Sequence, residues 1–142
     1  MNSIAIVFWS GTGNTQQMAE AVRDGAQNAG AAAELLYADE FNREKLAQYD
    51  AIAFGCPSMG TEQLEESSFE PMFTACESAL SGKKIALFGS FGWGDGQWMR
   101  EWESRCADAG AILVCGSVIC CETPDDGGLQ SCREMGESLA KA

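Results

Sequence analysis

Ile4-Ala5-Ile6-Val7-Phe8-Trp9-Ser10-Gly11-Thr12-Gly13-Asn14-Thr15 decides the fold. Ile4 to Trp9 is a continuous apolar run without polar alternation, the pattern of a strand buried on both faces. Ser10 to Asn14 is small, polar and glycine-broken. From Thr15 the period changes, and Met18, Val22 and Ala26 recur on one helical face until Asn28 and Gly30 end the segment. A doubly buried strand, a glycine-rich turn and an amphipathic helix are the first half of a β-α-β unit.

The remaining chain repeats this theme. Strands are predicted at Glu34 to Tyr37, Asp50 to Cys56, Lys83 to Ser90 and Ala111 to Cys121. Helices are predicted at Phe69 to Leu80, with Pro71 in the first turn, at Gln97 to Ala109 and at Leu129 to Ala140. Asn42 to Gln48 can make a short helix or a few turns. The spacing of Trp98, Trp102, Cys106 and Ala109 assigns those side chains to core packing. Strict alternation predicts one α/β domain over residues 1–142, a doubly wound five-stranded parallel sheet with helices on both faces.

Composition narrows the function. The 142 residues suit a single domain, and the formal net charge of −12 disfavours nucleic acid and anionic membrane while favouring a basic protein partner. Histidine is absent, which removes the usual general base of triad hydrolases. The seven cysteines lack C-x-x-C spacing, so no metal site is expected, and most read as small buried hydrophobes. The adjacent pair Cys120-Cys121 leaves a vicinal disulfide open. No apolar run is long enough to span a bilayer. The start, Met1-Asn2-Ser3, lacks a signal-peptide pattern, so a cytoplasmic location is expected.

The turn after the first strand is an anion cradle. Ser10, Thr12, Asn14 and Thr15 supply side-chain donors. Gly11 and Gly13 let backbone N–H groups approach a ligand at a helix N-terminus. It lacks the Gly-Lys-Ser/Thr ending of a nucleoside triphosphatase loop and does not match G-x-G-x-x-G. An ordinary β-α turn that binds nothing remains the alternative for this segment alone. Two further loops belong to the same sheet edge, where ligands of doubly wound sheets bind. Pro57-Ser58-Met59-Gly60-Thr61-Glu62 follows the third strand. Ser90-Phe91-Gly92-Trp93-Gly94-Asp95 follows the fourth. Each sets one large polarizable or aromatic side chain beside glycine, and Met59 with Trp93 can clasp a flat ring. Trp9 reads as structural although it lies near the site.

With these three segments together, Trp9 to Thr15, Met59 to Glu62 through Leu64-Glu65-Glu66, and Gly89 to Gly96, the whole chain resembles the flavodoxins, and the short-chain clostridial type above all. The resemblance implies the strand order 2-1-3-4-5. It implies a low-potential one-electron carrier that holds FMN non-covalently and shuttles between semiquinone and hydroquinone, with no catalytic residue. It implies that Ser10, Gly11, Thr12, Gly13, Asn14 and Thr15 hold the phosphate and that Met59 and Trp93 flank the isoalloxazine. It further implies that Gly60 bonds flavin N5–H, that Glu62 accepts from N3–H, and that Ser58, Thr61, Ser90, Phe91, Gly92, Gly94 and Asp95 complete the lining. Phe91, often Tyr, and Thr61, often Asp, depart from the common pattern. Expected partners are reductases and oxidoreductases with basic docking surfaces, met by a monomer; Glu62, Glu65 and Glu66 either steer such a partner or form a solvated helix start. Two alternatives stay open: a flavin-dependent quinone or nitro reductase on the same fold, and a response-regulator receiver. The latter needs acidic residues where Trp9-Ser10 and Cys56-Pro57 stand.

Overall fold

A computed structural model describes residues 2–142; Met1, part of the N-terminal reading above, lies outside them. The chain alternates β1 (Ser3–Phe8), α1 (Asn14–Asn28), β2 (Ala32–Tyr37), a one-turn helix at Ala38–Glu40 and α2 (Arg43–Leu46). It continues through β3 (Ala51–Gly55), α3 (Phe69–Glu77), β4 (Lys84–Phe91), α4 (Gln97–Asp108), β5 (Ile112–Leu113), β6 (Val118–Cys121) and α5 (Asp126–Lys141). All strand pairings are parallel, in the order β2-β1-β3-β4-β5, with β6 also on β4. Strand order reverses between β1 and β3, so the turn after β1 and the loop after β3 diverge above the sheet edge.

The doubly buried runs feed two cores. Ala5, Val7, Ile52, Phe54, Ile85 and Leu87 face α3 and α4. Ile4, Ile6, Phe8, Ala51, Ala53, Ala86 and Phe88 face α1 and α5. The first face is large and aromatic: Phe54 meets Phe73 edge-on at 5.2 Å, and Phe69 meets Trp102 at 5.4 Å and 90°. Trp98 and Trp102 are core residues, as their spacing predicts. The second face mixes alanines with Ile4, Ile6, Phe8 and Phe88, and α1 and α5 approach each other closely over it. A Cβ built on Gly25 would lie 1.9 Å from the Arg133 carbonyl oxygen, and one on Gly136 2.1 Å from that of Val22.

Two expectations are corrected here. The strand predicted over Ala111 to Cys121 is two pieces, β5 pairing with Lys84 and Ile85 and β6 with Phe88 to Phe91. Gly116-Ser117 sits in the break, where glycine is a poor strand former and Ser117 Oγ donates to Glu103 Oε2 at 2.6 Å. The last helix starts at Asp126 rather than Leu129, because Asp125 caps it by accepting from the Gly128 N–H at 2.7 Å. All seven cysteines are free. Cys120 is buried and Cys121 exposed, on opposite faces of β6, an arrangement that leaves the vicinal disulfide unformed.

Candidate functional site: a cleft at the carboxyl edge of the sheet

The turns after β1, β3, β4 and β6 line one cleft of about 500 Å³. Gly11, Thr12 and Asn14 form one end, Pro57, Ser58 and Met59 a side, and Ser90, Phe91 and Gly92 the floor; Trp9, Glu122 and Thr123 complete the wall. The lining holds no lysine or arginine.

The cradle is built from its own backbone. Gly13 takes φ +94°, a left-handed conformation that glycine adopts without strain, and turns the chain into α1. Ser10 Oγ accepts the N–H of Gly13 at 3.1 Å and of Gln16 at 3.3 Å, leaving its own proton to give. Among the described residues, the N–H groups of Thr12, Asn14 and Thr15 meet no protein acceptor, and the N-cap residue, Gly13, has no side chain to accept them. These free donors at a helix start favour an anion. The Thr15 hydroxyl is not among them: Thr15 is 1% exposed, and its Oγ1 shares a 2.8 Å hydrogen bond with Ser90 Oγ. This contact ties the start of α1 to the end of β4 beneath the cradle.

The second loop is a tight reversal. Met59 and Gln63 exchange N–H···O=C bonds of 2.8 and 2.9 Å, closing Gly60-Thr61-Glu62 into a short turn. Gly60 sits at φ +55° and Glu62 at φ +57°. The Met59 side chain is 37% exposed beside the cleft. The Glu62 carboxylate lies against Gly94, where a Cβ would come within 1.9 Å of Oε1. That oxygen is buried with no hydrogen-bond donor among the described residues. It faces a smaller space toward α4, shared with Trp102.

The third loop carries Trp93 outward at 62% exposure, at the rim rather than in the cleft wall. Asp95 also leaves the cleft, since its carboxylate pairs with Arg100 at 3.0 Å. Sequence reasoning missed Glu122 and Thr123, which line the cleft from beyond β6, with Glu122 at φ +58° and its N–H bonded to the Phe91 carbonyl at 2.7 Å. It missed Tyr37 too, whose hydroxyl bonds Ser10. Neither segment carries a motif; only the strand order brings them to this edge.

Glu65 corrects the docking expectation. It is 5% exposed and caps α3, accepting the N–H groups of Ser67, Ser68 and Phe69 at 2.8, 2.8 and 2.9 Å. Burial pushes its pKa up. The Ser67 hydroxyl and these three N–H groups outweigh burial and hold it below the usual carboxylate range. Of the three proposed steering carboxylates, only Glu66 stands exposed.

A flavin phosphate fits the cation-free cradle, and a flat ring fits beside Met59. The flavodoxin family model matches residues 6–136. The chain belongs to the flavodoxin family. It is 45% identical over 139 residues to a flavodoxin of Megasphaera elsdenii, covering 98% of this chain and 99% of that one. It is 43% identical over 135 residues to the flavodoxin of Clostridium beijerinckii, covering 95% and 97%. The solution structure of two-electron reduced Megasphaera elsdenii flavodoxin superposes with a TM-score of 0.91 at 45% identity, over 98% of this chain and 99% of that chain. Flavodoxins are FMN-binding electron carriers, so the family supports that reading and not the reductase or receiver alternatives. No helix among the described residues is long and apolar enough to cross a membrane, and no cluster of potential metal ligands is found there.

Proposed function

We propose that this flavodoxin is a low-potential electron carrier that performs no chemistry on a substrate of its own, and that its three loops divide the work of holding FMN. FMN, when bound, supplies one-electron redox chemistry. Ser10, Thr12 and Asn14, with the free backbone N–H groups of Gly11, Thr12, Asn14 and Thr15, hold the phosphate. Ser58, Met59, Thr61 and Phe91 line the ring and ribityl chain with Trp9, while Trp93 closes over the outer face. The Gly60 carbonyl holds the proton at N5, and Glu62 accepts from N3–H. Ser90 supports the cradle through Thr15, and Gly92 and Gly94 give the ring edge room. Asp95 fixes the end of the third loop through Arg100.

The observation that carries this reading is the convergence of a cation-free anion cradle and an apolar flank in one cleft. The lack of lysine and arginine leaves the phosphate charge uncancelled by side chains. Extra negative charge on the ring is then disfavoured by the phosphate and by a protein of net charge −12. This supports a strongly reducing second step and basic docking faces on the partner reductases and oxidoreductases; the proposed carrier is a cytoplasmic monomer. Anaerobic spectroelectrochemical titration of the FMN-loaded protein tests it. Two separated one-electron steps, with no turnover of NAD(P)H unless a reductase is added, are expected. Direct NAD(P)H oxidation by the protein alone would overturn the carrier reading.

A further inference from the structure

Tyr37 is the last residue of β2, one strand away from the cradle, paired in register with Phe8 of β1. Its hydroxyl reaches across the end of β1 and bonds a single residue twice. It accepts the Ser10 N–H at 3.0 Å and donates to the Ser10 carbonyl at 2.5 Å. One phenol thus saturates both backbone groups of the residue that opens the phosphate loop. The phenol is itself held. Its ring meets Phe8 edge-on at 5.1 Å and 74°, and its own N–H donates to Glu40 Oε1 at 2.8 Å. Ser10 in turn holds the loop through Oγ, which accepts from Gly13 and Gln16.

We infer that Tyr37 is a positioning residue for phosphate recognition: it clamps the Ser10 peptide so that the Ser10 hydroxyl and the free N–H groups behind it are aimed before the ligand arrives. Preorganised donors cost no ordering on binding, so the clamp acts on affinity for the phosphate and not on the ring. Its signature is therefore selectivity between FMN and riboflavin, which share the isoalloxazine and the ribityl chain and differ by the phosphate. The inference rests on the assignment of Ser10 to Thr15 to the phosphate. Loss of one phenolic hydroxyl leaves the Phe8 contact and the strand intact.

The test compares FMN and riboflavin dissociation constants for apoprotein of the natural sequence, Tyr37→Phe, Ser10→Ala and the double variant. Tyr37→Phe is expected to weaken FMN about tenfold, the usual scale for a hydrogen-bonded group of this kind, while riboflavin changes less than twofold. The second hydroxyl loss is expected to cost less in the Ser10→Ala background, because the two residues act in series. Backbone hydrogen exchange supplies a second readout: the Ser10 and Gly13 N–H groups exchange faster in Tyr37→Phe while Val7 is unchanged. Equal weakening of both flavins, or an unchanged ratio, overturns the clamp. Failure of the natural sequence to prefer FMN over riboflavin overturns the phosphate-loop reading itself, and is visible before any variant is made.

Discussion

Gly60 and Gly94 show how much a single absent Cβ can carry. Gly60 stands at φ +55°, where an L side chain is strained although there is open space around it, with only Gln63 Nε2 nearby at 3.7 Å. In the proposed function its value is conformational freedom of the peptide whose carbonyl would meet N5–H. Gly60→Thr is expected to lower the potential of the first reduction step, read by anaerobic potentiometry; an unchanged potential removes the peptide from the mechanism. Gly94 is different, because its Cβ would land on the Glu62 carboxylate. Gly94→Ala is expected to displace Glu62 and raise the FMN dissociation constant tenfold or more, with the first loop untouched. Trp93 is exposed and outside the cleft wall; if it stacks on the ring as proposed, Trp93→Ala is expected to weaken FMN and riboflavin alike by about tenfold, on the scale of an aromatic stacking contact.

At the scale of elements, the supports of the site are helix ends and helix contacts. Glu65 holds the start of α3 by accepting three N–H groups. Its pKa is depressed in the fold, so its contribution is complete above the unfolded value of about 4.3 and is lost as pH falls through the lower folded value. Glu65→Gln is therefore expected to destabilise by roughly 1–2 kcal/mol at neutral pH, the range of a lost helix cap. It also flattens the acid limb of the denaturation curve below pH about 4.3. Urea melts at pH 7 and at a series of values from pH 4 to pH 2.5 check both. The α1–α5 contact depends on Gly25 and Gly136. Gly25→Ala forces the helices apart and is expected to cost about 1–3 kcal/mol, the range for overpacking, although alanine is the better helix former.

For the whole molecule, charge is the governing quantity. One unit charge about 10 Å from the flavin, at an effective dielectric of about 40, costs roughly 0.8 kcal/mol, or about 35 mV for a one-electron couple. A net charge of −12 therefore shifts the second reduction step strongly downward, and salt relieves it. Raising ionic strength from about 0.01 M to 0.5 M, which shortens the Debye length severalfold, is expected to raise the second potential measurably. It is also expected to slow electron transfer with a basic partner protein. A second potential independent of salt would assign its depression to local contacts alone.

Much of this was legible in the residues. Buried strands announce themselves as unbroken apolar runs, and the turns after them by glycine and hydroxyl residues at one end, so Ile4 to Thr15 carried both the sheet and the turn with its free N–H groups. The stripe of Trp98 and Trp102 was equally readable, because helical period is local. What local pattern cannot carry is which residues from distant segments meet. Tyr37 reads as the end of a short strand, and Glu122-Thr123 as a turn; strand order alone brings them to Ser10 and to the cleft. Glu65 reads as a surface charge because nothing in Leu64-Glu65-Glu66 tells which carboxylate turns inward onto orphan N–H groups. The residues alone settled the α/β architecture and the three glycine-bearing turns at its carboxyl edge, to which the proposed function assigns FMN. The tertiary structure decided the clamp on Ser10, the Thr15–Ser90 tie beneath the cradle and the packing of Glu62 against Gly94, since each depends on a distance across the sheet edge that sequence separation leaves open.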